Sequence, residues 1–113
     1  MEHDHSLVIP PHFNGNKYAY WKVRMKVFLK SIDEKVWNSI EYKSKKPTTP
    51  VSEWQTSQKE TAIFTSKAMN AIFNAVSMEE FKRISNVKVA HTTWNILQTV
   101  HKSTKVVKIN KLQ

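Results

Sequence analysis

A single glycine in 113 residues constrains the fold of this chain more than any other feature. An all-β domain needs a turn signal every 8–12 residues, and one glycine with four prolines cannot supply them. The expectation is an all-α protein. The length suits one domain and leaves no room for two. With 40% hydrophobic and 24% charged residues, the chain has enough apolar side chains to bury a core, which excludes disorder throughout. There is no cysteine, so disulfides, thiolate chemistry and cysteine-based zinc sites are excluded.

The apolar spacing predicts five or six helices. Residues 1–12 read as a flexible, extended arm, because Pro10 and Pro11 hold their predecessors out of the helical region. Asn14-Gly15-Asn16 is a turn signal, with Asn16 an expected N-cap. Tyr18, Trp21, Met25, Phe28, Leu29 and Ile32 then recur on one face of a helix. Asp33 caps a short helix carrying Val36, Trp37 and Ile40, and residues 42–51 form a basic loop. Ser52 and Gln55 match a capping box opening a long helix over 53–76. That helix is apolar on two sides, through Phe64, Ala68, Ala71, Ile72 and Ala75 and through Met69, Phe73 and Val76, so it is expected near the centre of the domain. Ser77 and Glu80 match a second capping box, before a short helix with Phe81 and Ile84. Ala90, Trp94, Leu97 and His101 mark a further helix, and Ser103 or Thr104 is expected to cap a last segment from Lys105. That segment stops while still reading as helix, as in the front part of something longer. Trp21, Phe28, Phe64, Ile72, Trp94 and Leu97 are the expected core.

Eighteen Lys and Arg against nine Asp and Glu leave a net charge of +9, which suits a polyanionic partner such as nucleic acid. Lys22, Lys26 and Lys30 are spaced four apart, and no acid lies among residues 17–30 to offset them. Lys105, Lys108 and Lys111 recur every third residue, and Lys43, Lys45 and Lys46 crowd the loop. These stripes read either as solvated faces or as phosphate contacts that bind RNA without sequence preference, Lys22, Lys26, Lys30, Lys105, Lys108 and Lys111 being the candidates. No apolar run approaches the roughly 18 residues of a membrane span. The opening residues contain acids and no basic stretch, unlike a signal peptide. An intracellular, cytoplasmic protein is expected.

No catalytic constellation is visible. A lone glycine builds none of the phosphate-cradling loops, and the acid pairs Asp33-Glu34 and Glu79-Glu80 sit at helix starts, where carboxylates favour the dipole. His3 and His5, with Asp4, carry metal-ligand chemistry but lack a third ligand from a structured element. His91 and His101 lie about 80° apart around a helix, have no acid near them in sequence, and read as core-edge residues. Neither an enzyme, a metal, a cofactor nor a small-molecule substrate is expected. Of the tryptophans, Trp21 and Trp94 lie on apolar stripes, whereas Trp54 reads equally as core or as a surface aromatic in a first helical turn.

The order of these features resembles a known family. Phe13-Asn14-Gly15-Asn16-Lys17-Tyr18 followed by Trp21, Met25 and Leu29 is similar to the F-x-G-x-N-Y-x-x-W-x-x-x-M-x-x-x-L opening of the Gag polyprotein of copia-type LTR retrotransposons, with the asparagine displaced by one position. Val36-Trp37-Asn38-Ser39-Ile40, Trp54 before a long helix, Ala90-x-x-x-Trp94-x-x-Leu97, and the run from Lys105 to Leu112-Gln113 continue the likeness across residues 9–113. Plant members look closest. The resemblance implies a helical domain like the N-terminal domain of a retroviral capsid, spanning residues 13–113, which self-associates towards a virus-like particle that packages RNA. The zinc knuckle of such polyproteins is absent, so RNA contact here would fall to the lysines. Exposed apolar positions are the expected self-association contacts: Val23 and Val27, off the core stripe, and Trp54. Two alternatives stand beside this reading, a basic RNA-binding module and a domesticated host interaction domain derived from Gag.

Overall fold

The computed structural model describes residues 9–44 and 47–112, with side chains as far as Lys102. The described chain is all-α. Five α-helices follow in order: α1 (Tyr18–Ile32), α2 (Glu34–Glu41), α3 (Thr56–Ala75), α4 (Met78–Ile84) and α5 (Ala90–Leu112), with one 3-10 turn at Val51–Glu53.

The helix starts differ from expectation in instructive ways. Asp33 caps α2 as expected, its Oδ1 accepting the Lys35 N–H at 2.8 Å. Asn16 does not cap α1. Its N–H is held by Asn14 Oδ1 at 3.0 Å, closing an Asx turn, and Lys17 takes the cap position in the left-handed region at φ 57°. The long helix begins at Thr56, not 53. Val51–Glu53 winds a separate 3-10 turn, Trp54 is extended, and the capping pair shifts by three residues to Gln55 and Gln58, with the Gln55 N–H donating to Gln58 Oε1 at 2.7 Å. Ser77 precedes α4 without a side-chain cap, and Glu80 turns inward to His101 instead of back towards the helix start. Ser103 and Thr104 start nothing new, since α5 runs through them without a break.

The short α2 and the long α5 each pack against three other helices, α2 against α1, α3 and α5. The short α2 buries Val36, Trp37 and Ile40 in eight residues. The long α3, expected at the centre, buries residues only from Ala68 onward, and Ile63 in its first half is 53% exposed. The small side chains Ala68, Ala71 and Ala75 let neighbouring elements approach where they are needed.

A run of aromatic rings threads the core. Phe13 stacks on Trp21 (centroids 4.8 Å apart), Trp21 on Trp94 (5.6 Å), and Trp94 meets Trp37 edge-on (5.4 Å). Trp21, Ile72, Trp94 and Leu97 are buried as expected. Phe28 and Phe64 are only partly buried against that core. On α1 the buried stripe is Trp21, Met25 and Leu29, four residues apart, which leaves Phe28 on its shoulder. Phe64 lies one turn before the buried half of α3, with the ammonium groups of Lys35 and Lys67 each 5.6 Å from its ring.

Phe13 is the buried aromatic that periodicity missed, at 1% exposure. It belongs to no helix. Its N–H donates to the Ala75 carbonyl (2.7 Å), and its own carbonyl accepts from the Ser77 N–H (2.9 Å). A single parallel bridge therefore fastens the segment before α1 to the α3–α4 junction. The Trp21 indole N–H adds a bond of 2.7 Å to the Pro11 carbonyl.

Candidate interaction groove

An inner cluster at the α4–α5 contact and a groove between α1, α2 and α5 each bring polar or exposed side chains together.

The inner cluster centres on Glu80, 4% exposed. The His101 Nε2–H donates to its Oε1 at 2.7 Å, and Arg83 Nε lies 3.3 Å from the same oxygen. The imidazole is held between Phe13, edge-on, and Tyr18, stacked. The sequence offers no acid near His101. The partner lies 21 residues away and is reached only by folding. Gly15 completes the arrangement, at φ +98° and with Glu80 Oε2 3.2 Å from where a Cβ would stand. His91 is likewise satisfied: Nδ1–H donates to the Ile40 carbonyl at 2.7 Å and Nε2 accepts from Asn95 Nδ2 at 3.0 Å. Both histidines join helices, and each ring is oriented by a fixed partner.

Among the described residues, the buried Tyr18 hydroxyl and Ser77 Oγ have no hydrogen-bond partner. Burial raises the Tyr18 phenol well above its ordinary value.

The groove encloses about 560 Å³. One wall is α1, with Lys22, Lys26 and Lys30 along it and Val23 and Val27 between them. The edges of Trp37, Ile40 and Trp94 lie at its base, and His91, Asn95 and Gln98 of α5 face across it. The arrangement follows from helix geometry. Packing Trp21, Met25 and Leu29 inward sends Val23 and Val27 outward, where they are 63% and 62% exposed. Tyr20, at 63%, continues that outer face.

The lysines are not unopposed. Lys30 pairs with Glu34 at 3.4 Å, and Lys26 sits 5.1 Å over the Trp37 ring. Glu41 accepts from the Trp37 indole N–H at 2.6 Å. That bond first, then one from Tyr42 and the charges of Lys26 and Lys30, holds the Glu41 carboxyl below its usual value. The acids missing from α1 are supplied by α2.

Trp54 lies elsewhere. Its indole N–H donates to the Thr49 carbonyl at 2.9 Å, and the half-buried ring lines a separate hollow of about 320 Å³ with Gln58, Thr61 and Lys88. The structure thus brings Val23, Val27 and three lysines onto one surface and leaves Trp54 off it. Lys105, Lys108 and Lys111 fall within α5, and their side chains lie outside the described residues, as do Lys45, Lys46, His3, Asp4, His5 and the arm before Ile9. Among the described residues, no helix is long and apolar enough to cross a membrane.

Compared with known proteins, the chain matches no family model, no curated protein and no solved structure.

Proposed function

We propose that this chain is a non-enzymatic structural domain that self-associates, the capsid-like part of a copia-type retrotransposon Gag. The observation that carries the reading is the outer face of α1, where Tyr20, Val23 and Val27 are each more than 60% exposed although the helix buries a complete apolar stripe on its other side. Scattered exposed apolar residues are ordinary on a soluble protein. Three at helical spacing along one face, bordering a groove with an apolar base, form a patch suited to another protein. The all-α architecture and the order of sequence blocks support the Gag assignment.

Size-exclusion chromatography with light scattering, over a concentration series reaching the millimolar range, tests the reading. Mass that rises with concentration is expected, and Val23→Ser with Val27→Ser should reduce it without lowering thermal stability. A strictly monomeric chain at millimolar concentration refutes it.

The charge of +9 supports a second reading, in which the lysines gather RNA through its phosphates. Affinity should then fall steeply with salt. Glu34 and Glu41 beside Lys30 and Lys26 make the groove lysines weaker phosphate contacts than their spacing in α1 implies. Binding that is independent of salt, or absent at low salt, excludes this reading.

A further inference from the structure

We infer that the groove between α1, α2 and α5 receives the Met78–Glu79 tip of a second copy, so that self-association is head-to-tail rather than symmetric. The inference rests on the self-association reading and specifies its contact.

A symmetric pairing of two α1 faces brings each copy's Lys22, Lys26 and Lys30 towards the other's. Like charges brought together at a contact oppose association, and the chain already carries a net +9. Glu34 offsets Lys30 and Glu41 offsets Lys26, so the partner best suited to the groove has an apolar side chain for its base and a carboxylate for Lys22.

The chain presents such an element on another part of its surface. Met78 is the most exposed large apolar residue described, at 69%, and Glu79 beside it is exposed. Both lie at the start of α4, which contributes nothing to the groove. Glu80 points inward to His101, so the tip offers the Glu79 carboxylate, which has no ion pair among the described residues, next to one apolar knob. Methionine is flexible and its thioether makes favourable contacts with aromatic edges, which Trp37 and Trp94 supply at the base. Two other exposed apolar residues fit less well: Tyr20 lies beneath Arg24, and Ile63 is flanked four residues away on both sides by Lys59 and Lys67. Because knob and groove are different surfaces, a one-way contact between them is heterologous and builds a ring or an open chain of copies.

Two full-length variants test this. One disables the groove, Lys22→Ser with Val27→Ser, and the other the tip, Met78→Ser with Glu79→Gln. Every changed side chain is at least partly exposed, and circular dichroism melts check that both variants fold. At concentrations where the unaltered chain associates, each variant alone should be a monomer. Their equimolar mixture should form a 1:1 dimer of twice the 13.2 kDa chain mass and grow no further, since each dimer contains one intact contact and two disabled ends. A mixture that stays monomeric overturns the inference. So does a tip variant that associates like the parent, which assigns the α1 face to symmetric pairing, and so does association abolished by nuclease, which assigns the groove to nucleic acid. An unaltered chain that is monomeric at millimolar concentration overturns the self-association reading itself, and is distinguishable from those results.

Discussion

Replacing Tyr18 by phenylalanine should stabilise this protein, although the tyrosine lies in the block that most resembles a family motif. The ring packs between Phe13, Trp21 and His101, and phenylalanine preserves those contacts. Only the hydroxyl is lost, and it is buried without a partner among the described residues. Burying an unsatisfied hydroxyl costs about 1–3 kcal/mol, so Tyr18→Phe should gain about 1 kcal/mol or more. For a domain of this size that raises Tm by about 4–8 °C per kcal/mol. The pH dependence is a second signature. Burial raises the Tyr18 pKa in the folded state, so its stability contribution is complete below the unfolded value near 10. It is lost as pH climbs from there towards the folded value. The parent should therefore lose about 1.4 kcal/mol relative to Tyr18→Phe for each pH unit above about 10. Thermal melts of both proteins at pH 7, 10 and 11 by circular dichroism provide the comparison. A variant less stable than the parent by 1 kcal/mol or more at pH 7, by a margin that does not shrink at alkaline pH, refutes the reasoning and shows that the hydroxyl has a partner.

Other substitutions follow from the same packing. Trp21→Ala removes the ring between Phe13 and Trp94 and should cost about 3–5 kcal/mol, read from urea unfolding; a variant as stable as the parent would dissolve the aromatic core described here. Glu80→Leu leaves the His101 Nε2–H without its acceptor and should cost about 1–3 kcal/mol, with loss of the His101 side-chain NMR signature of a fixed tautomer. Gly15→Ala forces a Cβ into left-handed backbone and against Glu80, a loss of about 1–2 kcal/mol or more; an unchanged Tm would show that the turn is free to adopt another conformation.

The helices were legible because their signals are local. Trp21, Met25 and Leu29 at fourfold spacing, Asp33 before Val36 and Trp37, and the series Ala90, Trp94, Leu97 each state a face and a start without reference to the rest of the chain. Cap positions were less legible. Several residues near each helix start have capping side chains, and the choice among them turned on distant events. Asn14, not Asn16, closes the first turn. Gln55 displaces Ser52, and Trp54 between them is bonded to the Thr49 carbonyl. Glu80 deserts Ser77 for His101.

The groove was legible only in part. That Val23 and Val27 point outward follows from the core stripe on α1. Lys30 meets Glu34 four residues on, a local pair, but that Lys26 faces Glu41, and that Trp37 and Trp94 floor the space between, depends on how α1, α2 and α5 cross. No spacing within α1 contains that information.

By itself, then, the sequence determined that this chain is helical, where its helices run to within a few residues, and which faces of them are apolar. Backbone propensity, proline and glycine placement and side-chain period act over a few residues and need no tertiary contact. Tertiary structure alone decided that the eight residues of α2, rather than the twenty of α3, pack against three other helices, and that Phe13 joins the core through a backbone bridge to residues more than sixty positions away. It also decided that Glu80 serves His101. Such pairings are won by burial and by the cost of leaving buried polar groups unpaired, and those energies exist only once distant segments have come together.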